Sequence, residues 1–276
     1  MLDNPGSSRI KKVAALGGRS ARAKTGLILV DGPQAVRELL QWRAPDVQDA
    51  YFTESAADRH PELYEAARES VRFVHLMSEQ VSHKMSSESQ GIVAVAEAGA
   101  IGGGVSLEGL LASAVAGAGF LVMLPETQDP GNLGTIIRTA DAMGAAGVLL
   151  GRGTVEAGNP KVIRSSAGSV FHLPVLRVAF DEGAAATRDA GIRLLGTALA
   201  GTSVALPALL DADELTGPHA WAFGNEARGL SGDEQRACDA LVHIPMAGAA
   251  ESLNVAASAA MCLFASSCAA QASAAA

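Results

Sequence analysis

Aromatic side chains are scarce in this 276-residue chain, at 4% of its residues. A platform of stacked rings is therefore not expected to dominate any nucleic-acid binding. Cysteine is scarcer still, and Cys238, Cys262 and Cys268 lack metal-ligand spacing. Cys262 and Cys268, in the Ala/Ser-rich C-terminal stretch, read as small core residues in a reducing compartment, and no metal is implied. Residues 1–20 carry charges where a secretory signal needs an apolar run. No apolar stretch of about 20 residues reads as membrane-spanning, so a cytoplasmic protein without a membrane partner is expected. Nucleotide fingerprints are missing as well: neither G-x-G-x-x-G nor G-x-x-x-x-G-K-[ST] stands at a strand end. That disfavours a nicotinamide oxidoreductase.

What the chain has in quantity is small apolar residues. Hydrophobic residues make up 49%, many of them alanine, which excludes intrinsic disorder and predicts a core of small side chains closely packed. The net charge of −8 argues against a polyanionic partner, although a local basic patch can coexist with an acidic total. One such patch is present: Arg9, Lys11, Lys12, Arg19, Arg22 and Lys24, with Asp3 and Asp31 as the only acids nearby. Composition alone favours a solvated, partly disordered basic arm there.

The glycine-dense, charge-poor stretch 97–106 is the one clear shift in composition and reads as a linker. It divides the chain into a first domain over 1–97, a linker over 98–112 and a second domain over 113–276. In the first, strands are predicted at 27–30, 49–53, 72–76 and 91–96, with helices at 33–42 and 61–70, giving a small α/β domain. In the second, FLVML at 120–124 is an unbroken apolar run, as expected of a central parallel strand buried on both faces. Further strands are predicted at 147–151, 193–198, 220–224 and 241–245. Strands alternating with helices imply a mainly parallel sheet, and such sheets bind ligands at the carboxyl ends of their strands.

Three polar motifs fall at those ends. The first runs from Gln128 to Ala140, where Pro130 and Gly131 make a turn and Asn132 reads as the cap of a helix. On that helix Ile136, Ala140 and Met143 share an apolar face, and Thr135, Arg138 and Asp141 lie elsewhere. The second runs from Phe223 to Ser231 and holds Gly224, Asn225, Glu226 and Arg228. A glycine at a strand end permits close approach of a ligand, Glu226 and Arg228 read as a surface pair, and Ser231 reads as a cap. The third runs from Ile244 to Val255. There Ser252 reads as the start of the last helix, and Ala256, Ala257 and Ala260 give it a smooth packing face. Taken singly, each motif also reads as an ordinary turn, cap or surface ion pair.

Together, in this order and spacing, they resemble the SpoU/TrmH family of RNA ribose 2′-O-methyltransferases in the SPOUT superfamily. The resemblance rests on N-x-G-x-x-x-R-T-A at 132–140, G-N-E-x-x-G-L at 224–230 and I-P-M-x-G-x-x-E-S-L-N-V at 244–255. Residues 29–32 and 91–94 resemble, more weakly, the family's ribosomal-protein-like substrate-binding domain.

The resemblance implies a trefoil-knotted second domain, a homodimer and S-adenosylmethionine as cofactor. It implies methylation of structured RNA, with ribosomal RNA favoured over transfer RNA and a non-catalytic RNA-binding protein as the alternative. Asn132, Arg138, Glu226, Ser252 and Asn254 are the implied catalytic set. Leu199, Ala200, Gly201, Thr202, Gly224, Asn225, Ile244, Met246, Ser252 and Leu253 are the implied cofactor contacts. The basic residues at 9–24 then become phosphate contacts that position RNA without reading bases.

Overall fold

Short aliphatic runs alternate with amphipathic stretches along the chain, and each run becomes a strand. The computed structural model describes residues 1–117, 119–199 and 203–275, the last three by backbone alone. In chain order the first elements are α1 (Ser8–Ala15), α2 (Arg19–Thr25), β1 (Leu27–Asp31), α3 (Pro33–Arg43), β2 (Val47–Thr53), α4 (Glu54–Arg59), α5 (Pro61–Ser70), β3 (Phe73–Met77), α6 (Glu79–Met85) and β4 (Ile92–Glu97). Then come α7 (Leu107–Ala116), β5 (Phe120–Leu124), α8 (Pro130–Ala142), β6 (Gly147–Leu150), α9 (Pro160–Ser165), β7 (Val175–Arg177), α10 (Phe180–Asp189) and β8 (Arg193–Thr197). The last are β9 (Val204–Ala205), α11 (Leu206–Asp211), β10 (His219–Ala222), α12 (Gly232–Ala237), β11 (Ala240–His243) and α13 (Val255–Ala275).

Two compact units emerge, one of Met1–Gly103 with Glu156–His172 and one of Gly104–Val155 with Leu173–Ala276. The first holds a four-stranded mixed sheet, ordered β1-β4-β2-β3, with β4 antiparallel to both neighbours and β2 parallel to β3. The basic segment at its N-terminus is not an arm but two helices. Ile10, Val13 and Leu16, spaced three apart on one face, are buried against Leu29, Tyr51, Met77 and Val93. Arg22 is also buried, at 7% exposure; its guanidinium donates to the carbonyls of Leu16 and Gly17 at 3.0 Å and to Glu156 at 2.6 Å. Every direction of its fork that reaches these acceptors is unavailable to a phosphate, which corrects its expected role in RNA contact. Arg9, Lys11, Lys12, Arg19 and Lys24 are exposed.

The unit boundary departs from the sequence reading at 156–172, which lay in the expected second domain. Ion pairs account for the difference: besides Glu156 with Arg22, Arg164 meets both carboxylate oxygens of Asp31 at 2.8 Å, and Asp31 is 1% exposed. The expected linker is also shorter than 98–112. Ser106 caps α7 by accepting from the Gly109 amide, and Leu110 and Leu111 are core residues.

The second unit is built on a seven-stranded sheet, ordered β7-β6-β5-β10-β8-β11-β9, in which every pairing is parallel. The interior strand β5, between β6 and β10, is buried at all five positions, as expected of a strand covered on both faces. The short strands β7 and β9 were not legible in the sequence, because three and two residues carry no period. Of the described helices, α13 alone is long and apolar enough to cross a membrane, over Val255–Ala272. It nevertheless packs on α8 within this unit. The buried face comprises Ala256, Ala259, Cys262, Leu263, Ala265, Ser266 and Ala269, so of the smooth face expected at 256, 257 and 260 only Ala256 is buried.

Candidate active site

Strands β5 and β10 lie side by side and parallel, with Ala222 opposite Met123, and the Phe223 amide donates to the Met123 carbonyl at 3.0 Å. The chain therefore leaves both strands at one edge of the sheet. From β5 it turns into α8, whose cap is Asp129 rather than Asn132: the Asp129 carboxylate accepts from the Asn132 amide at 2.8 Å. Pro130 takes the first helical position, where its missing N–H costs nothing. Asn132 thus sits in the first turn with its side chain free for other partners.

Those partners come from the other two motifs. The Asn132 amide nitrogen donates to Glu226 at 3.2 Å, and its amide oxygen accepts from the Asn254 side chain at 3.0 Å. Asn254, in turn, accepts with its own oxygen from the backbone amides of Ala256 and Ala257, at 2.8 and 3.3 Å, and so caps α13. The order of donors and acceptors is forced at both ends. Helix amides can only donate and an ionised carboxylate can only accept, so both side-chain amides must point the same way along the chain. Ser252, expected as the start of this helix, lies in the preceding loop.

The loop that presents Glu226 is folded back on itself. Asn225 and Gly229 exchange backbone hydrogen bonds at 3.1 and 2.8 Å, and Gly229 takes a φ of +68°. A Cβ on Gly224 would fall 2.2 Å from the Gly229 carbonyl carbon and the Leu230 nitrogen. Glycine is thus needed at 224 for approach of the chain to itself.

Beside this loop opens a cleft of two lobes that share Thr197, Ala198, Leu199, Ser252, Leu253 and Ser258. The larger lobe, about 610 Å³, is bounded by Gly224, Asn225, Glu226, Arg228, Leu230 and Leu241. The smaller, about 370 Å³, is bounded by His243, Ile244, Pro245 and Met246. Leu199, Gly224, Asn225, Ile244, Met246, Ser252 and Leu253 all line it, and the expected contacts Ala200, Gly201 and Thr202 lie outside the described residues.

Asn132, Glu226 and Asn254 are joined by hydrogen bonds, and Glu226 and Ser252 face the larger lobe. Arg138 is not drawn in. Six residues further along α8, it is displaced from Asn132 by about 9 Å along the axis and about 120° around it. It is exposed, lines neither lobe, and its side chain has no hydrogen bond or ion pair with another described residue. Among the described residues no group of three His, Cys, Asp or Glu side chains is placed to hold a metal ion.

The sequence reading missed Glu126 and mispaired Arg228. Arg228 bonds Glu126 at 2.6 Å and Glu234 at 3.2 Å rather than Glu226, and these two carboxylates, Glu126 first, push its pKa up. Glu234 was findable, since S-x-x-E at 231–234 spells a capping box and both of its bonds form. Nothing local marks Glu126, which is distant from Arg228 in sequence.

The chain matches the SpoU rRNA methylase family over residues 119–264. It is 38% identical over 146 residues to the 23S rRNA (guanosine(2553)-2′-O)-methyltransferase RlmP of Bacillus subtilis, a match covering 52% of this chain and 56% of that protein. The first curated relatives are matched over about half of their length. A 23S rRNA (guanosine-2′-O-)-methyltransferase RlmB of Ralstonia nicotianae is 32% identical over 240 residues, 86% of this chain and 93% of that one. The crystal structure of an AdoMet-bound rRNA methyltransferase from Sinorhizobium meliloti superposes with a TM-score of 0.80 at 28% identity, covering 96% of each chain. With the parallel sheet, the joined motif loops and these likenesses together, the chain belongs to the SpoU rRNA methylase family.

Proposed function

We propose that this protein transfers a methyl group from S-adenosylmethionine to a ribose 2′-hydroxyl of structured RNA, ribosomal RNA before transfer RNA. The observation that carries this reading is the hydrogen-bonded series Glu226–Asn132–Asn254, which ties all three motif loops together at the rim of one cleft. The names of the relatives support ribosomal RNA as the substrate class.

The cleft fits the cofactor on its own terms. Its volume is in the range of about 300–1,000 Å³ that binds nucleotide-sized ligands. Leu199 and Met246 stand 67% and 40% exposed at its wall, apolar surface that an adenine ring would cover. When bound, the cofactor supplies a methyl group on a positively charged sulfur. Gly224, Ile244, Met246 and Leu253 would hold it, with Asn225, Leu199 and Ser252 beside them.

The protein's own task is to hold the ribose in line and to stabilise charge growing on its 2′-oxygen. The motif that carries Arg138 assigns it the orienting of the ribose or its phosphate, on a substrate that reaches α8 from outside the two lobes. A guanidinium with a reference pKa of about 12.5–13.8 does not serve as a base, so the hydroxyl proton leaves to phosphate or water. Glu226, Asn132, Ser252 and Asn254 shape the site around the ribose. Lys11, Lys12, Lys24, Arg9 and Arg19 meet RNA phosphates.

The chain works as a homodimer through α13. Met261, Phe264 and Cys268 form an exposed apolar stripe on that helix, with Met261 and Phe264 at 44% and 60% exposure, so Cys268 is not the core residue the sequence suggests, whereas Cys262 is buried. An RNA substrate and free thiols fit a cytoplasmic location.

The deciding experiment incubates the protein with radiolabelled S-adenosylmethionine and purified ribosomal or transfer RNA, then maps the label. Label on a ribose of ribosomal RNA, lost in Arg138→Ala, is expected. Label in transfer RNA alone moves the substrate, and absence of cofactor binding leaves a non-catalytic RNA-binding protein.

A further inference from the structure

The Glu226 loop is fastened from outside as well as from within, and one side chain does the fastening. Arg228 donates from one nitrogen to Glu126 at 2.6 Å, and from the other to Glu234 at 3.2 Å and to the Gly229 carbonyl at 3.3 Å. Glu126 follows β5 after Pro125, in the segment that leads to Asp129 and Asn132. Glu234 lies on α12, where its carboxylate also accepts from the Ser231 amide at 2.6 Å. Asn225 adds a second tie to the same segment by donating to the Glu126 carbonyl at 3.2 Å. The Glu126 side chain is itself confined, because Gly153 lies so near that a Cβ there would come within 2.8 Å of it.

We propose that Arg228, clasped by Glu126 and Glu234, is a positioning residue for methyl transfer: it ties the loop bearing Glu226 to the segment bearing Asn132. The inference rests on the methyl-transfer reading of this site. Two carboxylates on one guanidinium occupy both of its forked ends, so Arg228 is spent on geometry and is not an RNA contact. An exposed loop without this clasp would leave Glu226 free to swing away from Asn132, and a misplacement of about 1 Å can cost on the order of 10²-fold in rate.

The test compares wild type with Arg228→Met, Arg228→Lys, Glu126→Gln and the Arg228→Met/Glu126→Gln pair. Single-turnover transfer, affinity for S-adenosylhomocysteine, salt dependence of RNA binding and amide exchange at Gly229 are read for each. The clasp predicts that Arg228→Met and Glu126→Gln each slow transfer by about 10- to 100-fold. The pair should be no slower than the slower single variant, because both remove one interaction. Arg228→Lys should recover part of the rate, since a point charge reaches one carboxylate but not two. Gly229 exchange should quicken in both single variants, while the salt slope stays at the wild-type value.

A silent Glu126→Gln, together with an Arg228→Met salt slope reduced by about 0.7–0.9, would make Arg228 a phosphate contact and overturn the proposal. Loss of S-adenosylhomocysteine affinity in step with melting temperature, without rescue by lysine, would reduce it to a structural role and overturn it equally. If the wild type transfers no methyl group, the functional reading fails, and Gly229 exchange still decides whether the clasp holds the loop. Should Arg228→Met not fold, Glu126→Gln carries the same comparison with the arginine intact.

Discussion

Glu226 can only accept, so the nitrogen of the Asn132 amide must face it and the oxygen must face Asn254. Asn132→Asp replaces that donor by a second acceptor and sets two carboxylates about as close as the present bond, an arrangement in which both do not stay ionised without displacement. Single-turnover methyl transfer is expected to fall by roughly 10²-fold or more, in the range seen when an active-site polar contact is lost. A folded Asn132→Asp enzyme with undiminished transfer would remove the series from the mechanism. Arg138 is the contrasting case. Exposed and without a bonded partner among the described residues, it contributes little to stability, so Arg138→Ala should melt with the wild type. Its transfer rate should nevertheless drop by roughly 10²–10⁴-fold. Both residues were visible in the sequence as types in a motif. Their unlike surroundings were not, because six residues on a helix carry a side chain to another face.

At the scale of the element, the Ser266 hydroxyl of α13 bonds two side chains of the sheet. Nδ1 of His219 faces the Gly217 carbonyl at 2.8 Å, and a carbonyl only accepts, so that nitrogen carries the proton. Nε2 is then the acceptor of the Ser266 hydroxyl at 2.7 Å, and Ser266 accepts from the Trp221 indole at 2.9 Å. Ser266→Ala strands both ring nitrogens in the interior and should lower the unfolding free energy by about 1–3 kcal/mol, as chemical denaturation would measure. Burial, aided by the charge of Arg193 and opposed by the Gly217 carbonyl, holds the His219 pKa below the usual imidazole range. The neutral ring is therefore the folded form. Its contribution is complete above the unfolded value of about 6.5 and is lost as pH falls below that towards the folded pKa. Unfolding free energy should decline between pH 7.5 and 5.5, and by less in His219→Gln. An equal decline in both proteins would assign the effect to other groups. The small-residue face of α13 and the strand at 220–224 were readable from the sequence, but the packing of one on the other was not. Ser266 and His219 are distant in sequence, and only the fold makes them neighbours.

Across the whole molecule, RNA binding sets the basic segment at 9–24 against a chain of net charge −8. Each phosphate contact contributes about 0.7–0.9 to the slope of log affinity against log salt. Replacing Lys11, Lys12 and Lys24 together by glutamate should therefore flatten the measured slope by about two units and weaken binding. An unchanged slope would place the RNA elsewhere. Arg22→Glu is a different experiment: it sets a carboxylate against Glu156 and should destabilise the first unit rather than alter the slope. The α13 stripe gives the oligomer its own test. Phe264→Glu places a charge in the expected contact and should turn a dimer into a monomer by sedimentation, whereas a monomeric wild type would dismiss the stripe as an interface.

The residues that line the cleft came from the resemblance to a family; the amino-acid sequence by itself determined the α/β alternation, the buried interior strand FLVML and the three motifs. Those are properties of period, local turn chemistry and short spacing, which a stretch of chain carries within itself. Tertiary structure decided the rest: that 156–172 joins the first unit, that Arg22 is buried, that Gly224 makes room for its own loop, and that Arg228 turns to Glu126 rather than Glu226. Each of these depends on which distant groups the packed sheet brings within a few ångströms. A charged side chain takes the partner that the fold delivers, not the one nearest along the chain.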